Sequence, residues 1–146
     1  MALWALLALL PLHANQYREI LEANRGHVVV VAFWATWCEP CRDELPRLQR
    51  LLQRSSARLI TISADEPEQD AAVRKFLNKL HLSKAAYRIA DANLIDSVDP
   101  EWRGVLPAIF IYDAEGRLKG KFFGEPDWPV LQRLITPLAH RNGDRD

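Results

Sequence analysis

Cys38 and Cys41 are the only cysteines in the chain, and only Glu39 and Pro40 separate them. Ahead of them, Val28-Val29-Val30-Val31 is a β-branched apolar run that reads as a buried strand. Behind them, Leu45, Leu48, Leu51 and Leu52 recur at helical spacing. The pair therefore falls where a strand ends and a helix begins. A helix N-terminus presents free N–H groups and roughly +0.5 of a charge. Such a site favours a thiolate over a thiol. Pro40 suits it, because the first helical turn does not need the missing N–H.

This geometry gives the two thiols different jobs. Cys38 at the exposed edge of the turn is the expected attacking thiolate. Cys41, one turn in and more buried, is expected to resolve the mixed disulfide. Cα atoms of a first-turn i, i+3 pair lie about 5–6 Å apart, within disulfide range. The bland alternatives are a structural disulfide or two core thiols. The strand upstream, the helix downstream and the proline favour a redox-active pair.

The run FWATWCEPCRDELP resembles the active site of thioredoxin-fold proteins. It is most similar to the TlpA/ResA-like (DsbE-like) extracytoplasmic thiol–disulfide oxidoreductases, and the resemblance covers Tyr17 to Leu138. It implies an α/β, thioredoxin-like fold with a central mixed sheet flanked by helices. It also implies a helix–strand insertion, here about Glu66 to Ala90. Proline at the matching place of Pro107 is cis in this fold and packs beside the cysteines; the alternative is an ordinary trans proline entering a strand. Leu106 would then offer its backbone to an extended substrate segment. Trp37, Glu39 and Pro40 are the other candidate substrate contacts.

Thiol exchange moves protons, so an acid near Cys41 is worth locating. Thioredoxin carries a buried Asp on the preceding strand, where this chain has Ala32. ResA-type proteins carry Glu in the pattern C-x-x-C-x-x-E-x-P, which Glu44 and Pro46 match. Glu44 shares a helix face with Cys41. If partly buried, it has a raised pKa and exchanges protons with Cys41; otherwise it is a solvated surface carboxylate. The Glu39 charge opposes a Cys38 thiolate, and a less stabilised thiolate makes a weaker oxidant, which leans toward reduction. Trp34 is read either as a shield for the disulfide or as plain core.

A chain of 146 residues fits one domain and can bury a core without staples. Acids and bases balance at 19 each, so no strong field points to nucleic acid. His13, His27, His81 and His140 do not complete a zinc-finger spacing with the cysteines. Arg42, not His, follows Cys41, against covalent haem attachment. The expected cofactor is none beyond the Cys38–Cys41 disulfide. The expected partners are protein disulfides or dithiols and a thiol electron donor, with the chain a monomer.

Residues 1–14 open with MALWALLALLPL, apolar but shorter than the ~20 residues a spanning helix needs. Its length suits a secretory signal core or a short membrane tether, although no Lys or Arg precedes it; the alternative is an apolar helix docked on the domain. The expected location is periplasmic or otherwise extracytoplasmic. The thioredoxin-like domain is expected over 15–140 and a polar, disordered tail over 141–146. Within the domain, helices are expected over Asn15–Asn24, Cys38–Arg54, Asp65–Leu80 and Trp128–Ala139, with Asp91–Val98 a short helix or turn. Pro46 is expected to kink its helix and Pro137 to weaken the last turn of its own. Strands are expected over His27–Trp34, Ala57–Ala64, Ala86–Ala90, Ala108–Tyr112 and Arg117–Phe123, with Leu118, Phe122 and Phe123 available for the core.

The leading reading is a reductase of protein disulfides. In the resembling group the substrates include C-x-x-C-H sites of apocytochromes c and copper-site assembly proteins. A second reading is a peroxiredoxin-like peroxidase; those proteins carry Thr three residues ahead of the reactive Cys, and Thr36 is two ahead. A third is a metallochaperone or redox-silent binding module, which in this fold generally uses C-x-x-x-C plus a distant His.

Overall fold

The strand Val29–Trp34 has all six residues buried, and the other elements are arranged around it. A computed structural model describes residues 9–82 and 84–143, with backbone only over 138–143. In chain order the strands are β1 (Leu10–Leu12), β2 (Val29–Trp34), β3 (Arg58–Ser63), β4 (Ala86–Ile89), β5 (Ala108–Tyr112) and β6 (Leu118–Phe123). The α-helices are α1 (Tyr17–Ala23), α2 (Glu39–Leu52), α3 (Asp70–Lys79), α4 (Asn93–Val98) and α5 (Trp128–Gly143). The sheet runs β1-β4-β3-β2-β5-β6. β2 pairs with β3 in parallel and with β5 antiparallel, and β5 pairs with β6 antiparallel.

Alternation along β2 builds two cores, because successive side chains leave a strand on opposite faces. Val30, Ala32 and Trp34 pack with Leu45 and Leu48 of α2, Val73 and Leu77 of α3, and Leu131 and Ile135 of α5. Val29, Val31 and Phe33 pack with Tyr17 and Ile20 of α1, Leu94 of α4, and Trp102. Burial on both faces is why β2 reads as a continuous apolar run. Each buried Val, Leu, Ile or Phe among them contributes roughly 1.5–3 kcal/mol of transfer free energy. The sheet is mixed with helices on both faces, and α3 with β4 forms the expected insertion.

Four details differ from the sequence reading. Leu10–Leu12 forms the edge strand β1, parallel to β4, so folded structure begins upstream of the expected start at Asn15. The pairing buries Leu9 and Leu12, and Leu12 O accepts the Ala90 N–H at 2.8 Å. An apolar segment gains a partner on the open edge of β4, a long-range contact that local periodicity does not report. Residues 1–8, which carry most of the expected signal or anchor, lie outside the described residues. At the other end, α5 continues through Pro137 to Gly143, past the expected stop at Ala139 and into the expected tail; 144–146 lie outside the described residues. Leu118 and Phe123 are exposed, because they lie on the edge strand β6. The expected helix from Asp65 begins as a 3₁₀ turn at Pro67–Gln69 before α3.

Candidate active site

β2 ends at Trp34, and α2 begins at Glu39. The connection turns at Ala35–Cys38, with the Cys38 N–H donated to Ala35 O at 3.1 Å. Cys38 is the N-cap of α2, in extended conformation, and its Sγ accepts the Cys41 N–H at 3.3 Å. Sulfur here does what a Ser or Thr hydroxyl does at other helix starts. Pro40 occupies the first turn, where no N–H is missed.

Cys38 and Cys41 are joined as a disulfide, with their Cα atoms 5.3 Å apart. Cys38 keeps 7% of its surface exposed and Cys41 none, so only Cys38 is open to attack from outside. Trp37 projects beside it, 68% exposed, and Glu39 and Pro40 are also exposed. Trp34 is wholly buried in the same cluster as both cysteines, its ring 5.1 Å from that of Phe76. It is core and disulfide backing at once.

Glu44 lies one turn beyond Cys41 on α2 and is buried. Burial first, and the Glu125 charge second, push its carboxyl up to about 8 from an ordinary 4.5. Neither of its carboxyl oxygens has a hydrogen-bond partner among the described residues. A buried carboxylate in that position is costly, and the neutral acid is the form the site favours. A cleft of about 290 Å³ runs along this helix face, lined by Glu39, Pro40, Asp43, Glu44, Arg47, Glu125 and Trp128. The Arg47 guanidinium closes one side, 4.2 Å from the Trp128 ring centroid.

The Leu106–Pro107 bond is cis. Pro107 is buried, and half-buried Leu106 packs against the cluster that holds Cys38 and Cys41 as well as the cluster on the other face. The approach to this bond is braced by Trp102, whose Nε1 donates to Val105 O at 2.9 Å. Asp99 accepts the Glu101 N–H and the Lys121 ammonium, tying the same loop to β6.

Four participants escaped the sequence reading. Glu125 reaches the cleft from the link between β6 and α5, Trp128 from the first residue of α5, and Trp102 braces the proline loop. Asp65 accepts the Thr36 N–H at 2.9 Å. Asp65, Glu125 and Trp128 act across distances in sequence that spacing does not encode, whereas the Trp102 bond to Val105 is local.

A family model described as the AhpC/TSA family matches residues 10–121. The chain belongs to the AhpC/TSA family. Among relatives similar to it is the thiol:disulfide interchange protein DsbE of Pseudomonas aeruginosa, 30% identical over 130 residues, covering 88% of this chain and 69% of that protein. Another is the thiol-disulfide oxidoreductase ResA of Bacillus anthracis, 30% identical over 121 residues, covering 80% and 68%. A secreted thiol-disulfide isomerase from Corynebacterium glutamicum has a similar structure, with TM-score 0.68 at 22% identity over 82% of this chain and 76% of that one. A thiol:disulfide interchange protein of the thioredoxin family from Chlorobium tepidum gives 0.65 at 21% identity, covering 81% and 83%. These structures establish the thioredoxin-like fold. With its vicinal Cys38–Cys41 pair, this AhpC/TSA member is a thiol–disulfide oxidoreductase.

Proposed function

We propose that this oxidoreductase works as a reductase of protein disulfides outside the cytoplasm, with no cofactor beyond its own dithiol. The observation that carries the direction is Glu44, a buried carboxyl held up to about 8 beside the inner cysteine. Once ionised, that carboxyl adds to the Glu39 charge between the cysteines; both disfavour a thiolate and so make the dithiol give up its electrons more readily.

The steps follow from the burial of each sulfur. The Cys38 thiolate attacks one sulfur of the substrate disulfide; that S–S bond breaks, and the second substrate sulfur leaves as a thiolate. A mixed disulfide now joins Cys38 to the substrate. Cys41 passes its proton to the ionised form of Glu44, whose raised pKa makes it the stronger base, and attacks Cys38 Sγ, expelling the first substrate sulfur. The substrate has gained two electrons, and the Cys38–Cys41 disulfide seen here is the oxidised product. A thiol donor then restores the dithiol. The cis Leu106–Pro107 segment and Trp37 hold the substrate segment during attack.

The direction is tested by equilibrating the pair with glutathione or dithiothreitol. A potential near the thioredoxin value of about −270 mV supports reduction, and one near the DsbA value of about −120 mV overturns it. Location rests on the extracytoplasmic group that the active-site motif resembles and on the secreted structural neighbour. No described helix is long and apolar enough to cross a membrane. Fusing Met1–Gln16 to a reporter active only outside the cytoplasm should give signal; a silent fusion removes this part of the reading.

A further inference from the structure

The turn that delivers Cys38 is held from the neighbouring strand. Asp65 follows β3 and is 3% exposed. Its Oδ2 accepts the Thr36 N–H at 2.9 Å, and its Oδ1 accepts the Thr36 hydroxyl at 2.5 Å. Ser63 locks the carboxylate in turn: its Oγ donates to Asp65 Oδ2 at 2.7 Å and accepts the Asp65 N–H at 2.9 Å. Ser63 is wholly buried and stands in register with Trp34, the last residue of β2. One residue on, the Ala64 N–H reaches Trp34 O at 2.8 Å.

Thr36 is the second residue of the Ala35–Cys38 turn, whose closing bond is Cys38 N–H to Ala35 O. Trp37, the third, is too exposed to anchor the turn by packing. We infer that Asp65 is a positioning residue for disulfide exchange: by clamping Thr36 at both its backbone and its hydroxyl, it holds Cys38 at the N-cap of α2, where the Cys41 N–H meets its sulfur. The inference rests on exchange through Cys38, whichever way electrons flow. Asp65 does not touch the reacting sulfur. Its effect passes through Thr36 and the turn.

Position and charge give opposite signs, which makes the role testable. Loss of the clamp lets Cys38 drift from the N–H groups that stabilise its thiolate, so its pH midpoint rises. Loss of a nearby negative charge alone would lower that midpoint. Asp65→Asn removes the charge and keeps the clamp. Its carbonyl oxygen accepts from the Thr36 N–H and Ser63 Oγ–H, while its amide donates to a Thr36 hydroxyl turned to accept. The other acids of the site, Glu39, Asp43, Glu44 and Glu125, are the same in every variant.

The experiment is the pH dependence of Cys38 alkylation by iodoacetamide in the reduced full chain, read by mass spectrometry. It is run beside reduction of insulin disulfides for wild type, Asp65→Asn, Asp65→Ala and Thr36→Val. Asp65→Ala should raise the midpoint, slow alkylation at pH 7 by about 3–10-fold, and lower kcat/KM to a similar degree. Asp65→Asn should remain within about 2-fold of wild type, and Thr36→Val should fall between. A lowered melting temperature with an unmoved midpoint in Asp65→Ala would reduce Asp65 to a structural residue and overturn the proposal. A midpoint lowered in both Asp65→Asn and Asp65→Ala would assign the effect to charge and overturn it too. If Asp65→Ala does not fold, Thr36→Val decides: a raised midpoint supports the clamp, and an unmoved one removes it. Wild type that alkylates normally but reduces no insulin would fault the reductase reading and leave this comparison intact.

Discussion

Cys38 Sγ caps the helix that carries its own partner, accepting the Cys41 N–H at 3.3 Å. One atom thus serves the fold and the chemistry. The N–H that stabilises the start of α2 is the one aimed at the Cys38 thiolate once the disulfide opens.

That dual role sets different outcomes for the two cysteine variants. Cys38→Ser keeps a capping oxygen, so its melting temperature should match reduced wild type. Its reduction of insulin should nevertheless vanish, because no nucleophile is left at the exposed position. Cys41→Ser keeps the nucleophile and loses the resolving thiol, so it should accumulate mixed disulfides visible on non-reducing gels. Full multiple-turnover activity in Cys41→Ser would remove the resolving role.

Glu44 should matter for the second half of the cycle. Glu44→Gln keeps the shape and removes the charge that Glu44 acquires as pH rises toward about 8, a charge that disfavours a neighbouring thiolate, so the apparent thiol pKa of the reduced protein should fall. The step in which Cys41 loses its proton should slow by roughly 10–100-fold if Glu44 is its base. Thiol and carboxyl titrate as a pair, so the curves belong to the pair and not to either residue. Superimposable wild-type and Glu44→Gln profiles, in alkylation and in turnover, would exclude the role.

The same carboxyl makes stability depend on pH in a definite window. Its folded pKa of about 8 lies above the ordinary 4.5, so the folded state holds the proton longer than the unfolded chain. Its contribution is therefore fully present below about 4.5, declines as pH rises, and levels off above about 8. Each unit of displacement is worth roughly 1.4 kcal/mol, so the fall should amount to a few kcal/mol at most. Urea unfolding of the oxidised protein at pH 5, 6.5 and 8 measures it. Wild type should lose stability across that series relative to Glu44→Gln, and parallel curves would refute the shift.

The sequence was informative where structure is local and silent where it is not. Val28–Val31 announced a central strand because burial on both faces leaves no polar residue in the run. The Cys41–Glu44 spacing announced one helix face because 3.6-residue periodicity places residues three apart together. Leu10–Leu12 gave no such signal: its strand exists because β4 offers an edge 77 residues away, at Tyr87 for Leu10. Asp65 was read only as the start of a helix, since nothing around it in sequence reveals that Thr36 is its partner. Leu118 and Phe123 looked like core by composition, but an edge strand has less to cover it.

Trp37 offers the last test, because it separates binding from chemistry. Its ring is 68% exposed, unlike Trp34 and Trp102, which are buried. An exposed indole contributes little to folding, so Trp37→Ala should leave the melting temperature within about 2 °C of wild type. If the ring covers a protein substrate during attack, its loss gives up roughly 1–2 kcal/mol of contact, or about 5–30-fold in affinity. Substrate and transition state lose that contact alike, so KM for a protein disulfide should rise while kcat holds. A small disulfide such as oxidised glutathione is too small to reach across the ring in the same way, and its rate should change little. Equal losses with both substrates, carried by kcat, would mean that Trp37 acts on the geometry of Cys38 and not on the substrate.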